Sequence, residues 1–184
     1  MFSASKTEEA PYTVLNSWKE DNVELRSYPE RYWVCTRQVA AKIDDVSTSC
    51  FFKLFNYIRG ANAKSQKIPM TKPVVTKSEP SPNSVLERVF TMRFYIPTEI
   101  NDQAPEPTSA DVFIEHVPAM NVYCRKYSGF SNDSKLLNEA RSLGASLDRL
   151  GLSYKNEPFW FAGYDPPFRL FNRRNEVYFL ADEQ

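Results

Sequence analysis

The feature that most constrains the fold is a pattern that occurs twice in the chain. Residues 23–37 match residues 112–126, each position lying 89 residues after its counterpart. Four pairs of residues share this spacing of 89 positions: Pro29 and Pro118, Cys35 and Cys124, Pro69 and Pro158, Glu87 and Glu176. We therefore predict two copies of one unit that pack face to face. Ligands often bind at such a seam or in a groove beside it.

Composition narrows the class of protein. A chain of 184 residues can bury a core as one domain, or as two tightly packed halves, without disulfides. Lys+Arg and Asp+Glu both total 23, and this balance argues against a general nucleic-acid binder. The sequence shows neither a secretory signal nor a run of about 18 apolar residues, so no membrane span is expected. The three cysteines are widely spaced, as is typical of free thiols, and predict a cytoplasmic location.

Turn signals and hydrophobic periodicity divide the chain into a leader and two similar halves. Residues 1–12 are predicted to be a disordered leader, and residues 13–181 a single domain with halves at about 13–97 and 110–181. The first half is predicted to contain strands at 23–28 and 32–39 joined as a hairpin, a helix from Asp44 or Asp45 to Arg59, an edge or bulged strand at 68–77, and a strand at 86–96.

The second half repeats this order of elements. It is predicted to contain strands at 111–117 and 120–127, a helix at 133–150 closed by Gly151, and strands at 158–164 and 174–181. Two β-β-α-β-β halves predict an antiparallel α+β protein in which two main helices cover a curved sheet or a distorted β-barrel.

The first predicted helix carries one aromatic residue on its polar face, opposite its core stripe. Its predicted core stripe is Cys50, Leu54, Tyr57 and Ile58, with Phe51 and Phe55 at the edge. Phe52 falls on the opposite side, among Ser49, Lys53, Asn56 and Arg59. Such a residue is either a scattered surface aromatic or one wall of a groove that has a polar rim.

Residue types that catalysis needs are sparse. His116 is the only histidine, so a histidine pair or an HExxH motif cannot exist. The sequence contains no P-loop and no GxGxxG. The carboxylate pairs at 8–9 and 44–45 are typical of solvated charge and helix caps rather than of an acid–base dyad. We predict no catalytic residue, no metal site built from side chains, and no enzymatic activity.

Two pairs of motifs resemble the SOUL/heme-binding protein family. The first is LFNYIRGAN at 54–62 followed by IPMTKPV at 68–74, and the second is AGYDPP at 162–167 followed by RRNEV at 173–177. The resemblance spans about residues 12–181. It implies two β-rich pseudo-repeats that form a distorted barrel with two helices, a fold also similar to the effector-binding domains of some bacterial regulators. It implies an intracellular protein that binds haem or another tetrapyrrole non-covalently, as a carrier or buffer without catalysis.

The resemblance also implies a position for the ligand. The ring is expected in a surface groove beside the first helix, with basic residues near its propionates. Two of the family's basic helix positions fall on Thr48 and Asn56, which are uncharged, and its basic loop position falls on Arg169. Lys53 and Arg59 are basic residues of the helix that could substitute. The predicted ligand-binding residues are Phe52, Phe55, Asn56 and Arg59 on the helix, and Phe168, Arg169 and Phe171 on the loop after GYDPP.

Two other classes of function stay open. One is a protein-interaction module in cell death or membrane permeability, because some family members bind Bcl-2 proteins through a BH3-like stretch. The corresponding segment at 147–152 lacks the acidic residue after the glycine. The other is a hydrolase built on the same scaffold. His116 is either an exposed structural residue or a haem ligand or proton shuttle.

Overall fold

The computed structural model describes residues 6–166 and 168–182 and confirms the α+β class. Two helices accompany the strands: α1 is Ser47–Ile58 and α2 is Asp133–Leu150. The strands within the described residues are β1 Glu8–Glu9, β2 Thr13–Trp18, β3 Val23–Tyr28, β4 Arg31–Ala40, β5 Thr71–Lys72, β6 Val74–Pro80, β7 Arg88–Tyr95, β8 Val112–Val117, β9 Met120–Tyr127, β10 Tyr154–Gly163 and β11 Asn175–Ala181.

One large antiparallel sheet has the internal symmetry expected of a repeat. Its strand order is β2-β3-β9-β11-β10-β6-β7-β4-β8. The counterparts in the two halves are β3 and β8, β4 and β9, β6 and β10, and β7 and β11. Apart from β2, the order therefore reads the same from both ends when each strand is exchanged for its counterpart. The register agrees with this symmetry. Cys35 lies opposite Phe113, and Cys124 lies opposite Glu24. Cys124 follows Cys35 by 89 positions, and Phe113 follows Glu24 by the same 89 positions. Thr76 lies opposite Phe161 at the centre of the sheet.

The later strands of the two halves follow a different spacing. Val75 lies opposite Arg93, and Trp160 lies opposite Tyr178, a shift of 85 positions for both residues. The segment from β9 to β10 in the second half is therefore four residues shorter than the segment from β4 to β6 in the first half. The predicted equivalences of Pro69 with Pro158 and of Glu87 with Glu176 are consequently wrong, because they assumed a constant spacing.

The two ends of the sheet approach each other without pairing. Strands β3 and β4 are joined by residues 29–30 alone, and β8 and β9 by residues 118–119 alone, yet each pair is separated in the strand order. The prediction of a hairpin at 23–39 is thus wrong, since β3 pairs with β2 and β9, while β4 pairs with β7 and β8. Connections this short force the sheet to curl. Strand pairing among the described residues does not close the sheet, so the predicted barrel is not confirmed.

The end of the predicted leader is ordered. Strand β1 pairs in parallel with β5, and the Ala10 N–H donates to the Lys72 carbonyl at 2.9 Å. The Glu8 carboxylate accepts hydrogen bonds from the Thr98 backbone and hydroxyl at 2.9 and 2.6 Å. The predicted disorder is therefore wrong for residues 8–12, while residues 1–5 lie outside the described part. Strand β2 was not predicted because most of its side chains are exposed and give little apolar alternation.

The proline-containing third strand lies in the middle of the sheet. Strand β6 pairs with β10 on one side and with β7 on the other, so its prediction as an edge strand is wrong. Pro73 comes directly before the strand and Pro80 is its last residue. Prolines at these positions remove no interior hydrogen-bond donor from the ladder, and a central position is therefore compatible with them.

The helices cover one face of the sheet and are tied to each other at their starts. Helix α2 has its predicted bounds, with Asn132 as N-cap accepting from Lys135 N at 2.9 Å and Gly151 in the left-handed region. Helix α1 starts later than predicted. Instead of capping α1, the Asp44 carboxylate accepts a hydrogen bond from the Asp133 backbone N–H of α2 at 3.2 Å. The predicted core stripe of α1 is buried.

Two clusters of buried side chains lie on opposite faces of the sheet. The larger cluster contains the apolar faces of both helices. The smaller one contains no helix residue and consists of Val122, Cys124, Trp160, Ala162, Tyr164 and Tyr178. All three cysteines are free and buried. In the described residues, neither helix combines the length and apolarity required to cross a membrane.

Candidate functional site

The exposed edge of α1 carries a contiguous aromatic cluster. Phe52 is 54% exposed, in agreement with its place opposite the core stripe. Its ring lies 5.7 Å from that of Phe51 and 6.3 Å from that of Phe55. Phe51 in turn lies 5.3 Å from the ring of Phe94 on β7, which anchors the cluster to the sheet. The Arg59 guanidinium lies 5.7 Å from the Phe55 ring and forms a basic end to this surface.

The loop between β10 and β11 exposes a second apolar surface. Phe168 is 82% exposed and Phe171 is 80% exposed, and Leu170 between them is also exposed. Phe130, from the loop before α2, is exposed as well, and the Arg173 guanidinium lies 4.4 Å from its ring. The sequence reasoning missed Leu170 and Phe130, because the signal used for Phe168 and Phe171 was the crowding of aromatic and basic residues after GYDPP.

Ion pairs and hydrogen bonds fix the shape of this loop. The Asp165 carboxylate accepts from the Arg174 backbone N–H at 2.5 Å and pairs with Arg169 Nη1 at 2.9 Å. Arg169 Nε also donates to the Phe171 carbonyl at 3.1 Å, and Arg173 Nη1 donates to the Pro166 carbonyl at 2.6 Å. Arg169 is therefore occupied in holding the loop, and a ligand carboxylate would compete with Asp165 for it.

The predicted site residues thus form two groups. The helix group is Phe52, Phe55, Asn56 and Arg59, and the loop group is Phe168, Arg169 and Phe171. Among the described residues, no hydrogen bond, ion pair or ring contact joins the two groups. Within the same part of the chain, Arg59 has no acidic partner, whereas Lys53 pairs with Asp111 at 3.1 Å. Arg59 is therefore the helix cation available to a ligand.

A buried charge network supports the start of β11, next to the loop. The Glu176 carboxylate is fully buried and accepts two hydrogen bonds from Arg26, at 2.8 and 3.0 Å. It also accepts from Arg174 Nε at 2.9 Å and from the hydroxyl of Tyr164 at 2.8 Å. Burial raises the pKa of Glu176, but the hydrogen bonds and charge of Arg26, together with the charge of Arg174, outweigh burial and lower it overall.

His116 lies on β8, apart from both groups. Its Nε2 is 3.6 Å from the Glu30 carboxylate, and its ring lies 4.6 Å from that of Tyr32. No group of three or more histidine, cysteine or acidic side chains that could hold a metal ion occurs in the described part of the chain.

Comparison with known proteins places the chain among relatives of similar length. A family model described as SOUL heme-binding protein matches residues 7–180. Heme-binding protein 2 of Mus musculus is 36% identical over 178 residues, which covers 92% of this chain and 87% of the relative. Heme-binding protein 1 of Xenopus laevis is 29% identical over 171 residues, which covers 92% of this chain and 90% of the relative.

Solved structures give a similar fold at much lower identity. The C-terminal domain of EcmrR superposes with a TM-score of 0.62 at 13% identity, covering 88% of this chain and 98% of that domain. At this identity the likeness concerns the fold alone.

Proposed function

Because the chain belongs to the SOUL heme-binding protein family, we propose that it binds haem or another tetrapyrrole non-covalently, as a carrier or buffer without catalysis. We propose that the ring is held by the helix group and the loop group together, and that the cytoplasm is where the protein acts. The three free cysteines support that location, since free thiols persist in reducing compartments.

The observation that carries the proposal is the uncovered apolar surface of the β10–β11 loop. Phe168, Leu170 and Phe171 are all exposed, within four consecutive positions. Exposed apolar residues that cluster in this way often mark a binding site. A tetrapyrrole offers a large apolar face to such a surface, and burying that face stabilises the complex.

The charged rim is proposed to orient the ligand. Arg59 stands at the end of the α1 aromatic cluster without an acidic partner among the described residues. It is our candidate for a propionate contact, because Arg169 already pairs with Asp165. An exposed ion pair contributes about 1 kcal/mol or less. Apolar contact therefore accounts for most of the proposed affinity.

Titration of the purified chain with hemin tests the proposal. We expect a Soret band that shifts from that of free hemin and saturates at one hemin per chain. Leu86→Ala is a matched control, because Leu86 is 81% exposed on the separate β6–β7 loop. This variant should bind as the wild type does. A spectrum indistinguishable from that of free hemin at saturating protein would contradict the proposal and favour a protein partner for the same surface.

We predict that no histidine ligates the bound iron. His116 lies on β8 beside Glu30 and Tyr32, outside both groups of site residues. His116→Ala should leave the position of the Soret band and the hemin dissociation constant unchanged. Loss of the band in this variant, with unchanged circular dichroism, would show that the ring sits on β8 instead.

A further inference from the structure

A cleft opens on the face of the sheet that carries no helix. Eight of the nine strands in the described sheet contribute to its wall, including strands from opposite ends of the strand order. The sheet therefore curves around the cleft. Its wall carries five aromatic side chains, Tyr28, Trp33, Tyr95, Trp160 and Tyr178.

The cleft lies on the symmetry axis of the repeat, but its two sides differ chemically. Pro29 and Pro118 are equivalent and form the two turns at the rim. Elsewhere the equivalents diverge. The residue of the second half equivalent to Arg31 is Met120, 89 positions later. The residue equivalent to Arg93 is Tyr178, 85 positions later. Both arginines thus belong to the first half, and apolar or aromatic side chains stand opposite them.

Three nitrogens in the wall lack a hydrogen-bond partner. Of the four such buried side-chain nitrogens in the described residues, three belong to this cleft: Arg31 Nε, Arg93 Nε and Trp160 Nε1. Arg93 is 6% exposed and Trp160 is 7% exposed. Buried donors are normally paired, and each unpaired one costs free energy. A ligand that brings acceptor oxygens would supply the missing partners.

One terminal nitrogen of each arginine is already engaged, whereas the Nε–H groups lack a partner. Arg93 Nη2 pairs with the Glu115 carboxylate at 2.8 Å, and Arg31 Nη1 donates to the Glu30 carbonyl at 2.9 Å. Glu115 is not part of the cleft wall. The unpaired buried groups of these cleft-lining residues are therefore donors only, two of them on cationic side chains, and they suit an anion rather than a cation.

We propose that this cleft is a second binding site, which takes a small amphipathic carboxylate: a flat apolar body with one anionic end. The carboxylate faces Arg31 and Arg93, and the body lies against the aromatic and aliphatic residues of the second half. The cavity volume is about 60 Å³. That is less than half of the ~150 Å³ cavity that takes up benzene. The cleft therefore encloses one end of the ligand, leaves the rest at the open mouth, and cannot enclose a tetrapyrrole.

The indole signal of Trp160 in ¹H–¹⁵N correlation spectra tests this site. The chain has three tryptophans, so three indole signals are expected, and Trp160→Phe identifies the relevant one. The probe is 2-naphthoate, and the cation 2-naphthylmethylammonium is its counterpart. We expect a saturable shift of the Trp160 signal with naphthoate and a much weaker effect from the cation. No shift, or equal binding of both probes, would overturn the proposal.

Variants locate the anion contact. Arg31→Lys and Arg93→Lys keep the positive charge but remove the guanidinium Nε–H. Each should weaken naphthoate binding roughly tenfold, the scale of one charge-assisted hydrogen bond. Arg31 stands at a turn and is less buried than Arg93, so its variant remains informative if Arg93→Lys does not fold. The control is Arg37→Lys, because Arg37 lies on β4 like Arg31 but outside the cleft wall. This variant should bind naphthoate normally. Unchanged affinity in both cleft variants would contradict the proposed contact.

Discussion

Arg26→Met should lower the free energy of unfolding by about 3–5 kcal/mol, the usual cost of leaving one member of a buried ion pair without its partner. Arg26 and Glu176 are both fully buried and joined by two hydrogen bonds of 2.8 and 3.0 Å. The substitution would leave the Glu176 carboxylate with Arg174 as its remaining basic neighbour. Urea denaturation at neutral pH measures the loss.

A partly exposed pair provides the control for this prediction. Glu79→Gln removes the ion pair with Lys77, which is partly exposed, and should cost about 1 kcal/mol or less. If Arg26→Met cost no more than this control, the buried network would not be a main source of stability.

The same network predicts how stability depends on pH. The pKa of Glu176 is lowered in the folded chain, so the unfolded chain binds its proton more readily. The contribution of Glu176 is full above the pKa of a free glutamate, about 4.3, and is lost as the pH falls through the lower folded value. Glu176→Gln should therefore reduce stability at pH 7 and flatten its decline in acid. An unchanged acid decline in this variant would contradict the assignment.

Hemin affinity should fall about tenfold or more in Phe171→Ala and in Phe52→Ala. Each ring is largely exposed in the free chain, and full burial of a phenylalanine side chain contributes about 1.5–3 kcal/mol. Arg169→Ala should have a smaller effect, within about fivefold, since an exposed ion pair is weak and Arg169 already pairs with Asp165. Soret titrations of the three variants, with Leu86→Ala as the exposed-residue control, compare these contributions directly.

The reverse order of effects would refute this assignment. If Arg169→Ala abolished hemin binding while both phenylalanine variants bound normally, charge rather than apolar contact would hold the ring. Circular dichroism is needed for each variant, because Arg169 Nε also donates to the Phe171 carbonyl and shapes the loop.

Local signals in the sequence identified the elements whose formation depends on neighbouring residues. Helix α2 was predicted with its observed bounds, because its apolar stripe runs to Leu150 and is followed by Gly151, a typical helix stop. The exposed position of Phe52 also followed from helical periodicity alone. The repeat spacing gave the equivalence of Cys35 with Cys124, which the strand register supports.

Features that depend on distant pairing could not be read in this way. Nothing local distinguishes a hairpin from two strands at opposite ends of a sheet, so the partners of β3 and β4 were assigned wrongly. The segment that contains β6 was predicted as an edge or bulged strand because of Pro69 and Pro73, and only its pairing on both sides shows that β6 is central. The cleft escaped prediction for the same reason, since its wall combines residues from eight strands. Arg26 and Glu176 are 150 residues apart, so their ion pair gave no local signal either.

Paramagnetic broadening by hemin tests the central claim most directly. Ferric iron broadens the NMR signals of nearby nuclei, while iron-free protoporphyrin IX serves as the diamagnetic control. We predict the strongest loss of backbone amide signals at residues 52–59 on α1 and 168–171 on the loop, with the indole signals of Trp33 and Trp160 retained. Selective loss of those two indole signals, with the α1 amides unaffected, would place the ring in the cleft on the opposite face and contradict the proposed haem site.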